Sequence, residues 1–124
     1  MIEDKKHALE YAKLVFGQEA EKAYRYILEV IEPLPGYVGQ AGPVGYLSQF
    51  MIKNTQTGAI AYSFTFFKDS LQFRIRAPGI VEVRNRDRMA QVLERLDTEE
   101  KSGEVRFKIV TVEDAKRAMK ILFE

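Results

Sequence analysis

The chain contains no cysteine and no tryptophan, and His7 is its single histidine. The absence of cysteine excludes disulfide bonds, thiolate catalysis and thiolate metal sites. A catalytic triad or an imidazole metal centre would have only His7 to use, and His7 is expected on the solvated side of a helix. We therefore predict no catalytic residue, no metal site and no cofactor.

Long hydrophobic runs are also missing. No stretch approaches the roughly 20 apolar residues that cross a bilayer, and the first ten residues lack the apolar segment of a signal peptide. The expectations are a cytoplasmic location and no membrane partner. The 124 residues, of which 46% are hydrophobic and 30% charged, are typical of one globular domain over residues 1–124.

Positive charge is concentrated in one part of a nearly neutral chain. The formal net charge is +1, but residues 68–88 carry six basic and three acidic side chains. A strong nucleic-acid binder usually has a much larger excess, so this concentration indicates a local surface and not a polyanion-binding protein as a whole.

Two amphipathic helices are predicted at the start of the chain. Residues 3–16 are good helix formers, and Gly17 is a natural stop. Residues 17–32 form the second helix, which ends at Pro33 because proline cannot continue the helical hydrogen bonds. The apolar face of the second helix has three- and four-residue spacing and consists of Ala20, Ala23, Ile27 and Val30 or Ile31.

From residue 46 the apolar period changes to two, which is typical of half-buried strands. Strands are predicted over residues 46–55, 59–67 and 71–76, with a short further strand over residues 80–84. The inward side chains of the second and third of these strands are Ile60, Tyr62, Phe64 and Phe66, and then Leu71, Phe73 and Ile75.

The remaining elements complete the predicted fold. A helix over residues 87–96 precedes a strand over residues 103–110, and a final helix over residues 112–124 is capped by Thr111 and Asp114. The order α-α-β-β-β-(β)-α-β-α predicts an α+β fold, a two-layer sandwich whose mainly antiparallel sheet has helices on one face.

Three segments, "GYVGQAGPVGYL", "GAIAYSFTFFKDSLQFRIRAP" and "RFKIVTVEDAKRAMKILFE", resemble the small α+β domains of the YdhG and YjbR type. The resemblance concerns the order of elements over residues 18–124, an N-terminal helix and a glycine-rich entry into a meander. It supports the predicted fold and implies no catalytic residues, because the function of those domains is largely unassigned.

Glycines recur every three residues at Gly36, Gly39, Gly42 and Gly45. A phosphate-binding loop would follow a strand and carry a lysine before a helix, whereas this stretch follows a helix and precedes a strand. A collagen-like repeat would need many more triplets. We therefore predict a flexible connecting loop.

The outward positions of the predicted sheet collect cations and one aromatic ring. They are Arg74, Arg76, Arg84, Arg106, Lys108 and Phe67. Such a surface resembles the sheet platforms that hold a single-stranded backbone and stack a base. Arginines that serve solubility and pair across strands with Glu82 and Glu104 explain the same pattern. A two-fold interface formed by Leu47, Met51 and Phe67 explains it as well.

The interpretation that we favour is a non-catalytic interaction module that self-associates. The alternative is an accessory domain that binds nucleic acid through the basic sheet face. A third hypothesis is a small-molecule pocket between the glycine-rich stretch and Tyr46, Tyr62 and Phe64.

Overall fold

The structure is a computed structural model, and it describes residues 1–15, 17–42, 49–80, 82, 98–101 and 104–123. Within these residues a seven-stranded sheet carries three long helices on one face. The predicted α+β fold, a mainly antiparallel sheet with helices on one face, is therefore confirmed. Several predicted features lie outside the described residues, among them most of the strand over residues 80–84, the helix over residues 87–96, Leu47 and Arg84.

The strands are β1 (Ile2–Glu3), β2 (Tyr37–Ala41), β3 (Gln49–Asn54), β4 (Ile60–Phe66), β5 (Leu71–Ile75), β6 (Thr98–Lys101) and β7 (Glu104–Ile109). Their spatial order is β1-β2-β3-β4-β5-β7-β6. All neighbours are antiparallel except β1 and β2, which are parallel. The helices are α1 (Lys5–Val15), α2 (Gln18–Ile31), the single turn α3 (Ala77–Ile80) and α4 (Val112–Phe123).

Four phenylalanines from neighbouring strands form the centre of the core. Phe50, Phe64, Phe73 and Phe107 occupy one cross-strand row. Their ring centroids lie 5.0, 5.7 and 5.1 Å apart with interplanar angles of 12°, 20° and 19°. We call this row the phenylalanine ladder, and the face that carries it is the inner face. The inward side chains predicted for β5, Leu71, Phe73 and Ile75, lie on this face, as do Tyr62, Phe64 and Phe66 of β4.

The helical layer packs on the inner face through aromatic contacts. The Tyr24 ring of α2 meets the rings of Phe50, Phe64 and Phe66 at 5.2 to 6.0 Å between centroids. Its hydroxyl donates a hydrogen bond to the Ala8 carbonyl of α1 at 2.9 Å, and burial raises the pKa of that hydroxyl. Tyr24 thus ties α1, α2 and the sheet together.

The first residues of α4 and α1 show how the local sequence determines where a helix begins. The predicted cap of α4 is confirmed, because the Asp114 amide donates to Thr111 Oγ1 at 3.2 Å and Asp114 Oδ2 accepts from the Thr111 amide at 3.1 Å. Helix α1 begins two residues later than predicted because Ile2 and Glu3 pair with β2. Asp4, at a φ of 49°, makes the turn between strand and helix.

His7 is half-buried, not fully solvated as expected. Its Nε2 donates a hydrogen bond to the Gly42 carbonyl at 3.0 Å, and its ring lies edge-on to Tyr11. The histidine therefore links α1 to the end of β2, a structural role.

The prediction that the glycine-rich stretch is a connecting loop is wrong for Tyr37–Ala41, which form strand β2. Burial alternates along this segment with a period of two, as in a strand, and Tyr37, Gly39 and Ala41 are inward and buried. Gly39 belongs there because a Cβ at this position would lie 2.6 Å from Phe50 Cζ. Gly36, at a φ of +85°, precedes the strand and Gly42 follows it; Gly45 lies outside the described residues.

We expect Gly39→Ala to lower the free energy of unfolding by about 1–3 kcal/mol, because the added methyl group overpacks the core against Phe50. Phe50→Leu removes the ring tip, so the double variant should lose less than the sum of the two single variants. Urea denaturation measures all three, with the exposed Gln40→Ala as a control that should change little. Strict additivity of the two losses would contradict the contact.

Candidate functional site on the outer face of the sheet

The structure brings four of the predicted basic residues together on the face opposite the helices, the outer face. Arg74 on β5 is the direct cross-strand partner of Arg106 on β7, and Lys108 is the partner of Gln72. Arg76 follows the last residue of β5 and reaches Glu104 at the start of β7. The predicted cations therefore come from two adjacent strands and share one surface.

Among the side chains that the structure describes, these guanidinium groups outnumber the carboxylates that pair with them, while strand pairing also places Glu99 of β6 opposite Arg106. Glu104 pairs with Arg76 at 3.0 Å and with Arg106 at 3.6 Å. Arg74 donates only to Gln72 Oε1, at 3.2 Å, and forms no ion pair with any described side chain. Like charges directly opposite one another in a sheet destabilise it. The arrangement therefore has unbalanced positive charge at its centre.

The pKa of Arg74 reflects this position. Burial lowers the pKa of its guanidinium below the ordinary value, and the neighbouring Arg106 lowers it further. Glu104 acts in the opposite direction, and Arg76 adds to the lowering. A bound anion would favour the charged form of Arg74 and relieve the repulsion.

Hydrogen-bond donors on the same face lack partners. One cross-strand row runs from Gln40 through Met51, Ser63, Arg74 and Arg106 to Glu99. We call its four central members, Met51, Ser63, Arg74 and Arg106, the outer row. Among the described residues, the buried side-chain polar atoms without a hydrogen-bond partner are Ser63 Oγ, Arg74 Nε and Arg106 Nε. All three belong to the outer row. Sequence reasoning missed Ser63, because its place beside Arg74 depends on strand pairing.

Phe67 is exposed, as predicted. It follows β4, its side chain is 49% exposed, and its amide donates to the Ser70 carbonyl at 2.9 Å. The turn that carries it joins β4 to β5, the strand of Arg74. Phe67 therefore presents an aromatic ring at one end of the strand pair that contributes Ser63 and Arg74.

A shallow cavity of about 200 Å³ lies at the other side of the outer face, between β1 and β4. Its lining consists of Glu3, Val38, Gln40, Met51, Lys53 and Ile60. The prediction that Ile60 points inward is wrong, because a bulge at Ala61 shifts the register so that Ile60 pairs with Lys53 while Tyr62 pairs with Ile52. The bulge adds an apolar side chain to the outer face.

Two further predictions concern residues near the inner face. Glu82 pairs with none of the described arginines; its carboxylate accepts hydrogen bonds from the Tyr37 hydroxyl and, at 3.0 Å, from Asn54 Nδ2. Tyr62 and Phe64 are completely buried in the core, so they do not line an open small-molecule pocket. Tyr46 lies outside the described residues.

The residues that the structure describes also bear on metal binding and on membrane insertion. No group of three or more histidine, aspartate or glutamate side chains there is arranged to hold a metal ion. None of the helices seen there has the length and apolar character needed to cross a membrane.

Comparison with known proteins identifies no relative of this chain. No family model matches the chain, no curated protein is significantly similar in sequence, and no solved structure is significantly similar in fold. The resemblance to YdhG- and YjbR-type domains therefore stays a prediction.

We expect Arg74→Met to raise the free energy of unfolding at low salt by about 0.2–1 kcal/mol, because it removes a like-charge cross-strand pair while keeping an apolar stem. The gain should shrink as added salt screens the charges. Urea denaturation at two salt concentrations measures it, and Arg117→Met on the exposed side of α4 is the control. A loss of stability at low salt would contradict the unbalanced charge described above.

Proposed function

We propose that the protein is a non-catalytic binding module that holds an anionic partner, single-stranded nucleic acid, on the outer face of its sheet. The observation that carries the proposal is the Arg74–Arg106 pair, two guanidinium groups directly opposite each other. Glu104 pairs with Arg76 and Arg106, and Glu99 is the cross-strand partner of Arg106, but Arg74 has no ion pair with any described side chain. A protein keeps such a destabilising arrangement where function requires it.

The class of partner follows from what surrounds the pair. Lys108 adds a cation on the same strand as Arg106, and Phe67 offers an exposed ring in the turn before β5, the strand that carries Arg74. Cations that follow a backbone together with an aromatic ring for stacking are the usual combination for single strands. With a net charge of +1, long-range attraction is weak, so binding depends on this face. A cytoplasmic location forms part of the proposal because nucleic acid is available there.

The test is the salt dependence of binding to a single-stranded oligonucleotide. We expect the association constant to fall with salt, since phosphate contacts release counterions. Arg74→Met and Lys108→Met should each reduce the log–log slope by roughly 0.7. Fluorescence anisotropy at several chloride concentrations measures the slope.

Arg117→Met removes the same charge from the helical layer and serves as the control. If it reduces the slope as much as Arg74→Met, binding is diffuse and the outer face is not the site. Absence of oligonucleotide binding by the wild-type protein at low salt would reject the proposal.

Self-association is the second candidate function, and apolar groups on the same face favour it. Val38, Met51 and Ile60 line the shallow cavity between β1 and β4, and Phe67 is exposed. A two-fold contact between outer faces would bury these groups and exclude water from them. Leu47, also predicted for this interface, lies outside the described residues.

If the outer faces meet, we expect an oligomer that Phe67→Ser and Met51→Ser convert to monomer, because apolar burial dominates such a contact. Oligonucleotide retention should stay at background for the wild type and for both variants. Size-exclusion chromatography with light scattering measures the mass, with Tyr26→Ser on the helical layer as control. A wild-type monomer at high protein concentration would exclude this candidate.

A further inference from the structure

The three unpartnered donors of the outer row are adjacent in space as well as in register. Ser63 pairs directly with Arg74, and Arg74 pairs directly with Arg106, so the donors come from three consecutive strands about 4.8 Å apart. Ser63 has no exposed surface at all. Buried polar groups in folded proteins are nearly always hydrogen-bonded, and isolated exceptions call for an explanation. Three in one row point to a missing shared acceptor.

We infer that the outer row is an oxyanion site in which Ser63 Oγ and the Nε groups of Arg74 and Arg106 together hold one phosphate group. The inference deepens the proposed function, because the bound phosphate would be one phosphate of the single-stranded nucleic acid, and to that extent it rests on that function. The site itself would also accept a free phosphate or a phosphomonoester. Charge-assisted hydrogen bonds from guanidinium groups to phosphate are the strongest of the contacts available here.

The existing contacts of Arg74 and Arg106 do not use the Nε atom of either guanidinium group. Gln72 Oε1 accepts from Arg74 Nη2 at 3.2 Å, and Glu104 Oε2 lies 3.6 Å from Arg106 Nη2. Both contacts use the terminal nitrogens and leave Nε free to donate. The Arg106 side chain is 24% exposed, although its Nε is covered, so an anion reaches this nitrogen once the guanidinium group rotates outward. A lysine could not supply this fixed edge of donors.

A tetrahedral phosphate suits the row better than a carboxylate. A single phosphate presents several oxygens in different directions, whereas a carboxylate presents two in one plane. The donors are a short hydroxyl on β4 and two long side chains on β5 and β7, which lie at different heights above the sheet. Met51, the fourth member of the outer row, is half-buried beside Ser63 and forms an apolar wall that limits hydration of the bound group.

The test titrates the full chain with inorganic phosphate in a chloride buffer, by calorimetry or by ³¹P NMR. Wild-type protein should bind one phosphate saturably. Ser63→Ala should weaken binding about tenfold through loss of one hydrogen bond to an anion. Arg106→Lys, which keeps the charge, should weaken it at least as much. Thr65→Val, on the same strand and face but outside the row, should bind as the wild type does.

A stability measurement accompanies the titration and shows that the variants fold. Without phosphate, Ser63→Ala should unfold at a higher temperature than wild type, because it removes a buried hydroxyl that has no partner. Phosphate should stabilise the wild type and Thr65→Val but stabilise Ser63→Ala less. Equal phosphate affinity of Ser63→Ala and wild type, or no saturable binding by wild type, would overturn the inference.

Oligonucleotide binding, measured on the same variants, distinguishes this inference from the proposed function. Arg106→Lys preserves the net charge, so it should leave the salt slope for oligonucleotide unchanged while phosphate binding falls. Saturable phosphate binding without oligonucleotide binding would support the oxyanion site and reject the nucleic-acid partner. Oligonucleotide binding without a phosphate site would reject the inference and retain the partner.

Discussion

The phenylalanine ladder is the interaction on which the rest of the sheet depends. Phe50, Phe64, Phe73 and Phe107 stack across four neighbouring strands and lie beneath the helices. Aromatic pairs of this kind contribute about 0.5–1.5 kcal/mol each beyond the area that they bury. Because side chains alternate along a strand, a slip of one residue would turn the whole ladder outward. The ladder therefore holds the register of β3, β4, β5 and β7.

The same register determines the composition of the outer face. Each phenylalanine of the ladder is the chain neighbour of one member of the outer row, Met51, Ser63, Arg74 or Arg106. The row is therefore held together by packing on the other side of the sheet, because its central pair, Arg74 and Arg106, is repulsive. Stability on the inner face makes it possible to maintain an unfavourable arrangement on the outer face, as is common where proteins bind ligands.

The parts of the fold that could be predicted are those whose sequence signal is local. Strand β5 alternates Leu71, Phe73 and Ile75 with Gln72 and Arg74, and this period is visible without any knowledge of its neighbours. The cap formed by Thr111 and Asp114 is equally local. Strand β1 has two residues, so it carries no period, and it forms only because β2 offers it a parallel edge.

Other features were missed because they depend on contacts between distant residues. In sequence Gly39 is one member of a glycine repeat, yet its small size makes room for the Phe50 ring that covers it. Ile60 continues the alternation of β4 in sequence, but the bulge at Ala61 moves it to the other face. The same limit applies to the candidate site. The arginines could be recognised by type and alternation, whereas Ser63 becomes notable only when it is paired with Arg74 and left without a partner.

The two candidate functions compete for one surface, since Met51 belongs to both the outer row and the apolar cavity. A second copy seated over Met51 would cover the approach to Arg74 and Arg106, and it would bring two sets of unbalanced cations face to face. That repulsion would act within a desolvated contact, where it is screened less than at the surface. An anion bound in each row would remove it. Charge on this face therefore opposes a bare self-association and favours an anionic occupant, which is the physical reason to rank anion binding first.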